Sequence, residues 1–221
     1  MTAWPDLQFP DPPKDRPYIV TNMVTTLDGK SILGERDESV MGLGSKTDYE
    51  TLRFLQSKVD AVLIGANTLR STKNIWYPKE LIRLVLTKDA ELPLESRFFT
   101  DVPEKTFVVT NASTPAGMQS IPFEGVESLC LHLHETLGIQ RLLVEGGSET
   151  NALFFAIVMV DELFLTLAPK VKLGANLPTY AGGDPLDKED VLRWRLVGCQ
   201  PIEDEVFLRY RRDRAEGAKV K

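Results

Sequence analysis

The segment Arg141-Leu-Leu-Val-Glu145-Gly146-Gly147-Ser148 runs an apolar strand into a carboxylate and two glycines, with Ser148 placed to cap a following helix. Backbone approaches a ligand most closely at glycine, and a strand, a glycine turn and a helix N-terminus together present unpaired N–H groups and a positive dipole end. That chemistry suits a phosphate or pyrophosphate, although a plain tight turn would use the same residues. Glu145 ends a buried strand, and a carboxylate there needs a polar partner or a polar ligand. Two other strand exits share this character: Thr25-Thr26-Leu27-Asp28-Gly29-Lys30, and Asp60-Ala-Val-Leu-Ile-Gly65-Ala-Asn-Thr68. Asp-Gly is first a turn signal, but hydroxyls at strand C-terminal ends also border ligands in open α/β sheets.

Other chemistries lack support. His132 and His134 stand two apart, which diverges on a helix, and no acid or thiol sits at metal-ligand spacing, so no metal is expected. Gly-x-Ser-x-Gly is absent, and the two cysteines, Cys130 and Cys199, form neither a CxxC nor a disulfide framework. A formal charge of −6 argues against nucleic acid as partner, and the basic stretch Arg209 to Arg214 reads as a solvated tail. The longest apolar run, Ala152 to Val160, has nine residues against the roughly 20 needed to cross a bilayer, so no membrane partner is expected. The proline-rich start does not resemble a secretory signal, and the expected compartment is the cytoplasm.

The elements that must position these residues follow from periodicity. Residues 1–17 hold five prolines and read as an extended arm, whose Trp4, Leu7 and Phe9 remain available for packing. One domain is expected over residues 18–212, with a tail at 213–221. Buried strands are predicted at Tyr18 to Thr25, Asp60 to Ala66, Ile82 to Thr87, Thr106 to Thr110 and Arg141 to Glu145. Ser45 with Asp48 resembles a capping box opening a helix through Tyr49, Leu52, Leu55 and Val59. Further helices are predicted from Ser148 to about Met159 and over Leu131 to Leu137. Glu162 to Val171, Leu192 to Cys199 and Glu205 to Arg211 read as closing strands. The pattern implies an α/β fold: a mostly parallel mixed sheet flanked by helices, with a strand-rich C-terminal end.

In order and spacing, Arg16-Pro-Tyr-Ile-Val, Thr26-Leu-Asp28-Gly29-Lys30, Leu52-Arg53, Asp60 to Thr68, Leu143 to Ser148 and Val160-Asp161-Glu162-Leu163 resemble the pyrimidine reductase domain of riboflavin biosynthesis, in the dihydrofolate reductase-like superfamily. The resemblance covers roughly residues 16–211. It implies an NADPH-dependent oxidoreductase that reduces the ribose of a 5-amino-6-(phosphoribosylamino)uracil to a ribityl chain, acting as a homodimer on a small-molecule substrate. It also implies that Gly146, Gly147, Ser148, Glu149 and Thr150, in the turn and helix start reaching Leu153, hold the cofactor pyrophosphate, with Thr25, Gly65 and Thr68 lining the cofactor site. Thr87 and Lys88 would approach the adenosine end, where Lys88, with Arg83, Arg70 or Lys73 nearby, suits a 2′-phosphate. Glu145 would be the catalytic, substrate-side acid, with Asn22, Asp28 and Thr72 also facing substrate. The stretch Leu163 to Val171 offers an apolar surface that could pair or pack across a two-fold axis.

Two departures bear on substrate identity. Asn22 stands where these reductases commonly carry lysine, and Thr72-Lys73-Asn74 stands where they carry Asp-x-Pro. Asparagine hydrogen-bonds but supplies no charge. The deaminase motifs that often accompany this reductase are absent from the sequence, so reduction alone is expected. A dihydrofolate-type or other small-molecule reductase, and a nucleotide-binding sensor without turnover, are the competing readings.

Overall fold

A computed structural model describes residues 2–34, 42–72 and 75–212. The first strand, β1 (Tyr18–Thr26), leads to helix α1 (Lys46–Gln56), strand β2 (Ala61–Gly65) and the short helix α2 (Ala66–Ser71). Then come β3 (Ile82–Leu86), α3 (Arg97–Thr100), β4 (Thr106–Val109), β5 (Gln119–Ile121), α4 (Val126–Glu135), β6 (Arg141–Val144) and α5 (Ser148–Ala156). Strands β7 (Glu162–Ala168), β8 (Trp194–Ile202) and β9 (Glu205–Arg212) finish the described chain. The described strands form one sheet in the order β5-β4-β3-β2-β6-β1-β7-β9-β8, parallel throughout except that β9 runs against both β7 and β8. This is the mostly parallel mixed sheet with a strand-rich end that the periodicity predicts.

The central strands are apolar on both faces because both are covered. One face carries Val20, Val62, Ile64 and Leu143 against Leu55 of α1, Val59 just after it and the aromatics of α3. The other carries Ile19, Leu63, Leu142 and Val144 against Val126, Leu129 and Leu133 of α4 and Phe154 of α5. The arm completes the first face: Ala3, Trp4 and Leu7 are buried, and the Trp4 ring stands edge-on to Phe164 at 6.0 Å. A Cβ at Gly198 would lie 2.6 Å from the Trp4 ring, so β8 needs glycine where the arm crosses it.

The capping box at α1 is half realised. Ser45 Oγ accepts from the Thr47 and Asp48 amides, but the reciprocal partner is Glu205, whose carboxylate accepts from Ser45 N and Oγ at 2.8 and 2.6 Å. Asp48 lies beside Glu205 and is pushed up to about 6, chiefly by burial.

Several boundaries differ from the sequence-based expectation. Helix α4 begins at Val126 rather than Leu131, because Gly125, at φ +132°, sets its entry and the stripe Val126, Leu129, Cys130, Leu133 is already helical. Helix α5 stops at Ala156 because Val158 takes φ +61°. Strand β7 ends at Ala168, and β8 spans Trp194–Ile202. The short elements α2, α3 and β5 are too brief to show periodicity. The apolar stretch from Leu163 is not a pairing surface: β7 is hydrogen-bonded on both sides, to β1 and β9, and Leu163 and Phe164 are buried. The sheet's open edges are β5 and β8.

Trp4→Ala is expected to lower stability by about 3 kcal/mol in urea unfolding, as for other buried aromatic truncations. An unchanged midpoint would mean that the arm adds nothing to the core.

Candidate active site

The exits of β2 and β6 meet backbone to backbone. Glu145 N donates to Leu63 O at 2.9 Å and Gly65 N donates to Gly146 O at 2.6 Å. Gly146 has φ +86° and is joined to Gly147 by a cis peptide. The cap of α5 is Gly147 itself, not Ser148, which is the first helical residue, and no side chain caps the helix. The leading amides of α5 therefore keep donor capacity toward a ligand.

Glycine is required here by packing as well as by any ligand. A Cβ on Gly65 would collide with Thr150 Oγ1 and lie 3.3 Å from Gly147 N, and one on Gly147 would lie 2.9 Å from Thr68 Oγ1. Gly65, Thr68, Gly147 and Thr150 thus form one contact between the two strand exits, and Ser148 and Glu149 open the helix beside it. Asn151 sits one turn into α5, fully buried, donating from Nδ2 to Tyr180 O at 2.7 Å while its Oδ1 has no partner among the described residues. Gly182 N donates to Ser148 O, so the segment around residues 180–183 crosses the start of the helix.

Glu145 belongs to the opposite face. It shares the side of β6 that carries Leu143, toward α1, and its carboxylate accepts from Gln56 Nε2 at 2.6 Å and Tyr77 OH at 2.7 Å. Burial pushes its carboxyl up, while Gln56, Tyr77 and the nearby Arg53 pull it down. In the β1–β6 register Thr21 pairs with Val144, which brings Asn22 level with Glu145, on the same face. Asn22 is half-buried. Thr25, three residues further along β1 and buried, points to the other face, the side of α5.

The remaining expected residues are spread over several places. Thr87 follows the end of β3 beside Gly65; its hydroxyl is held by Asp89 at 2.9 Å, and Lys88 next to it is exposed. Arg70 reaches the same corner, 3.6 Å from Asp89. Arg83 does not: it is fully buried on the α1 face, donating to the carbonyls of Tyr77, Arg97 and Phe98. Asp28 accepts from Thr26 Oγ1 at 2.6 Å and from the amides of Lys172 and Leu173, which lower its carboxyl to about 2. Because the folded value lies below the unfolded one, this tie contributes above about pH 4 and is lost only as pH falls toward 2. Thr72 closes α2 with its Oγ1 buried and without a partner among the described residues, and Lys73 and Asn74 lie outside those residues. His134 faces the arm, with Nε2 3.0 Å from Lys14 O.

Gln56, Tyr77 and Asn151 were not singled out from the sequence. A glutamine directly after the core residue Leu55 was the one available signal, since a buried amide needs partners.

Gly65→Ala is expected to lower the melting temperature by several degrees through its collision with Thr150, and Thr150→Ala in the same chain should restore part of the loss. Equal stability of Gly65→Ala and the parent would contradict the packing described.

The chain was compared with known proteins. The model of the RibD C-terminal domain family matches residues 17–208. A 2,5-diamino-6-ribosylamino-4(3H)-pyrimidinone 5′-phosphate reductase of Aquifex aeolicus is 27% identical over 203 residues, covering 82% of this chain and 90% of that protein. A reductase of the same description from Methanothermobacter thermautotrophicus is 24% identical, covering 88% and 98%. Among solved structures, Acinetobacter baumannii RibD superimposes with a TM-score of 0.76 at 19% identity, covering 90% of this chain; the match spans 59% of that longer chain. Dihydrofolate reductase from Enterococcus faecalis shares the fold at a TM-score of 0.52 and 13% identity, with 88% of this chain and 96% of that one covered. With most of its length inside the family model, the strand-exit site included, the chain belongs to the RibD C-terminal domain family.

Proposed function

We propose that this protein is an NADPH-dependent reductase of a phosphoribosylamino-pyrimidine, of the kind named for its curated relatives. The observation that carries this reading is the division of labour at the tip of β6. Gly146 and Gly147 turn into the uncapped start of α5, while Glu145, the residue before them, points to the opposite face. A dinucleotide on one side and a reducible substrate on the other would meet across this strand tip.

The residues present fit such a cofactor. The uncapped amides of α5 and Asn151 Oδ1, orphaned among the described residues, supply polar groups, Gly65 and Gly147 add no side chain to the turn, and the Thr68 and Thr150 hydroxyls stand beside them. Thr25 lines the same side, and Ser148 and Glu149 follow at the helix start. Thr87 borders the adenosine end, where Lys88, with Arg70 close by, favours a 2′-phosphate through charge-assisted contact. Bound there, the nicotinamide supplies hydride. The chain contributes orientation: Glu145, Asn22 and Thr72 hold the substrate, with Glu145 accepting hydrogen bonds from its hydroxyl or amino groups. Asp28, its carboxylate engaged by backbone amides, acts by shaping the loop at the substrate rim.

The site, the NADPH preference and a cytoplasmic homodimer are parts of one reading. The dimer is assigned to the open edge β8, where Leu196 and Val197 are exposed, rather than to β7. Sedimentation at micromolar concentration should give twice the chain mass, and a stable monomer would refute the assignment.

With NADPH and the phosphoribosylamino-pyrimidine, the wild type should turn over, and NADH should bind more weakly. Glu145→Gln should lower kcat by roughly 10²-fold with little change in NADPH dissociation. An unchanged rate would leave Glu145 a structural residue. NADPH binding without turnover of this substrate or of a dihydrofolate-type substrate would favour a sensor.

A further inference from the structure

Glu145 is a half-buried carboxylate whose direct hydrogen bonds, among the described residues, come from neutral groups only: the Gln56 amide and the Tyr77 hydroxyl. Such a group is held by donors rather than by an ion pair, and its plane is set by where those donors stand. Both belong to elements remote in sequence. Gln56 is the last residue of α1, and Tyr77 lies in the segment before β3.

Each donor is itself fixed. Arg53 donates to Gln56 Oε1 at 2.7 Å and to Trp76 O at 2.6 Å, and its guanidinium lies 4.8 Å from both the Tyr49 and Trp76 ring centres. Arginine cannot accept, so the Gln56 oxygen must face Arg53 and its NH₂ must face Glu145. The amide thus has one orientation. Tyr77 is fully buried, edge-on to Phe98 at 5.8 Å, and Arg83 beneath it donates to its carbonyl at 3.0 Å.

We propose that Gln56 and Tyr77, with Arg53 acting through Gln56, are positioning residues that fix the plane and protonation of the Glu145 carboxylate. One carboxylate lone pair on each oxygen is engaged by them, which leaves the other on each oxygen for substrate. The charged and titratable groups facing this cluster are Arg53 from α1, Tyr77 from the segment before β3, and Arg83 from β3; Asn22 of β1 adds a neutral amide. Burial pushes the Tyr77 hydroxyl well above its ordinary range, so it stays a donor at any working pH. Burial likewise pushes Glu145 up, and its two donors oppose that shift. Removing either donor therefore raises the carboxyl further.

The inference deepens the proposed reductase reading, but its first test needs no substrate. In the full-length protein with ¹³C-carboxyl-labelled glutamate, the Glu145 resonance, assigned by its loss in Glu145→Gln, is titrated in wild type, Tyr77→Phe and Gln56→Leu. Tyr77→Phe keeps the ring that packs on Phe98, and Gln56→Leu provides an independent arm if that variant does not fold. Each variant should titrate about one pH unit higher, a tenfold change in ionisation, as expected for a lost hydrogen bond to a charged group. In turnover, the acid limb of the kcat profile should move upward by the same amount, kcat should fall about tenfold, and NADPH dissociation should stay within about twofold. An unmoved Glu145 titration in both variants would overturn the proposal, as would a lower rate with an unmoved acid limb. A shifted titration in a protein without turnover would uphold the positioning role and count against the reductase reading alone.

Discussion

The site depends on the backbone contact between the exits of β2 and β6. Two parallel strands continue their pairing past the ladder through Glu145 N to Leu63 O and Gly65 N to Gly146 O, and two of these four residues are glycine. No side chain fits in that gap: Thr150 and Thr68 already occupy the space a Cβ at Gly65 or Gly147 would take. The start of α5 is thereby brought against the sheet with no side chain capping it. The same glycines that permit this packing also keep side-chain bulk off the turn, so stability and the proposed anion site rest on one constraint.

This constraint also separates the two faces of the proposed site. Successive residues of a strand point to opposite faces. Glu145 therefore follows Leu143 to the α1 side, while the chain beyond it turns into α5 on the other. The first face is built for a polar group at its margin: Gln56 at the end of α1 and Tyr77 beneath the loop before β3 converge on the carboxylate. Deeper in that face an apolar cluster runs from Leu55 to Phe164 alongside the buried Arg83, and the arm seals it with Trp4 and Leu7.

The far end of the sheet is organised differently. Two buried acids at the start of β7 collect arginines: Arg16 grips Asp161 with two bonds at 2.7 and 2.8 Å, and Arg209 and Arg211 meet Glu162 at 2.6 and 3.2 Å. These pairs tie the arm, β1, β7 and β9 at the ends opposite the glycine turn. Breaking one would leave a buried charge uncompensated, which costs more than the pair itself contributes. Charge neutralised inside the fold at one end accompanies donor capacity left open at the other.

The sequence by itself determined the sheet and the glycine turn. Apolar runs such as Ala61 to Ile64 and Leu142 to Val144 are buried on both faces, a signal that local composition carries, and Gly146-Gly147 before a helical pattern announces the turn. Ser45 marked the start of α1 because a cap is a local interaction. Family resemblance pointed to Glu145 as the acid. Tertiary structure decided what holds it: Gln56 and Tyr77 lie 89 and 68 residues away in the chain, and no pattern along a single segment encodes such a meeting. The same reason underlies the other differences. Glu205 replaces the local half of the Ser45 box from 160 residues away, and Arg83, which sequence proximity associated with Lys88, is drawn under Tyr77 by the alternation of β3. Asp28 is engaged by amides 144 and 145 residues downstream. Local propensity fixes which residues form an element, whereas the partners of a buried polar side chain are fixed by which elements the sheet order makes neighbours.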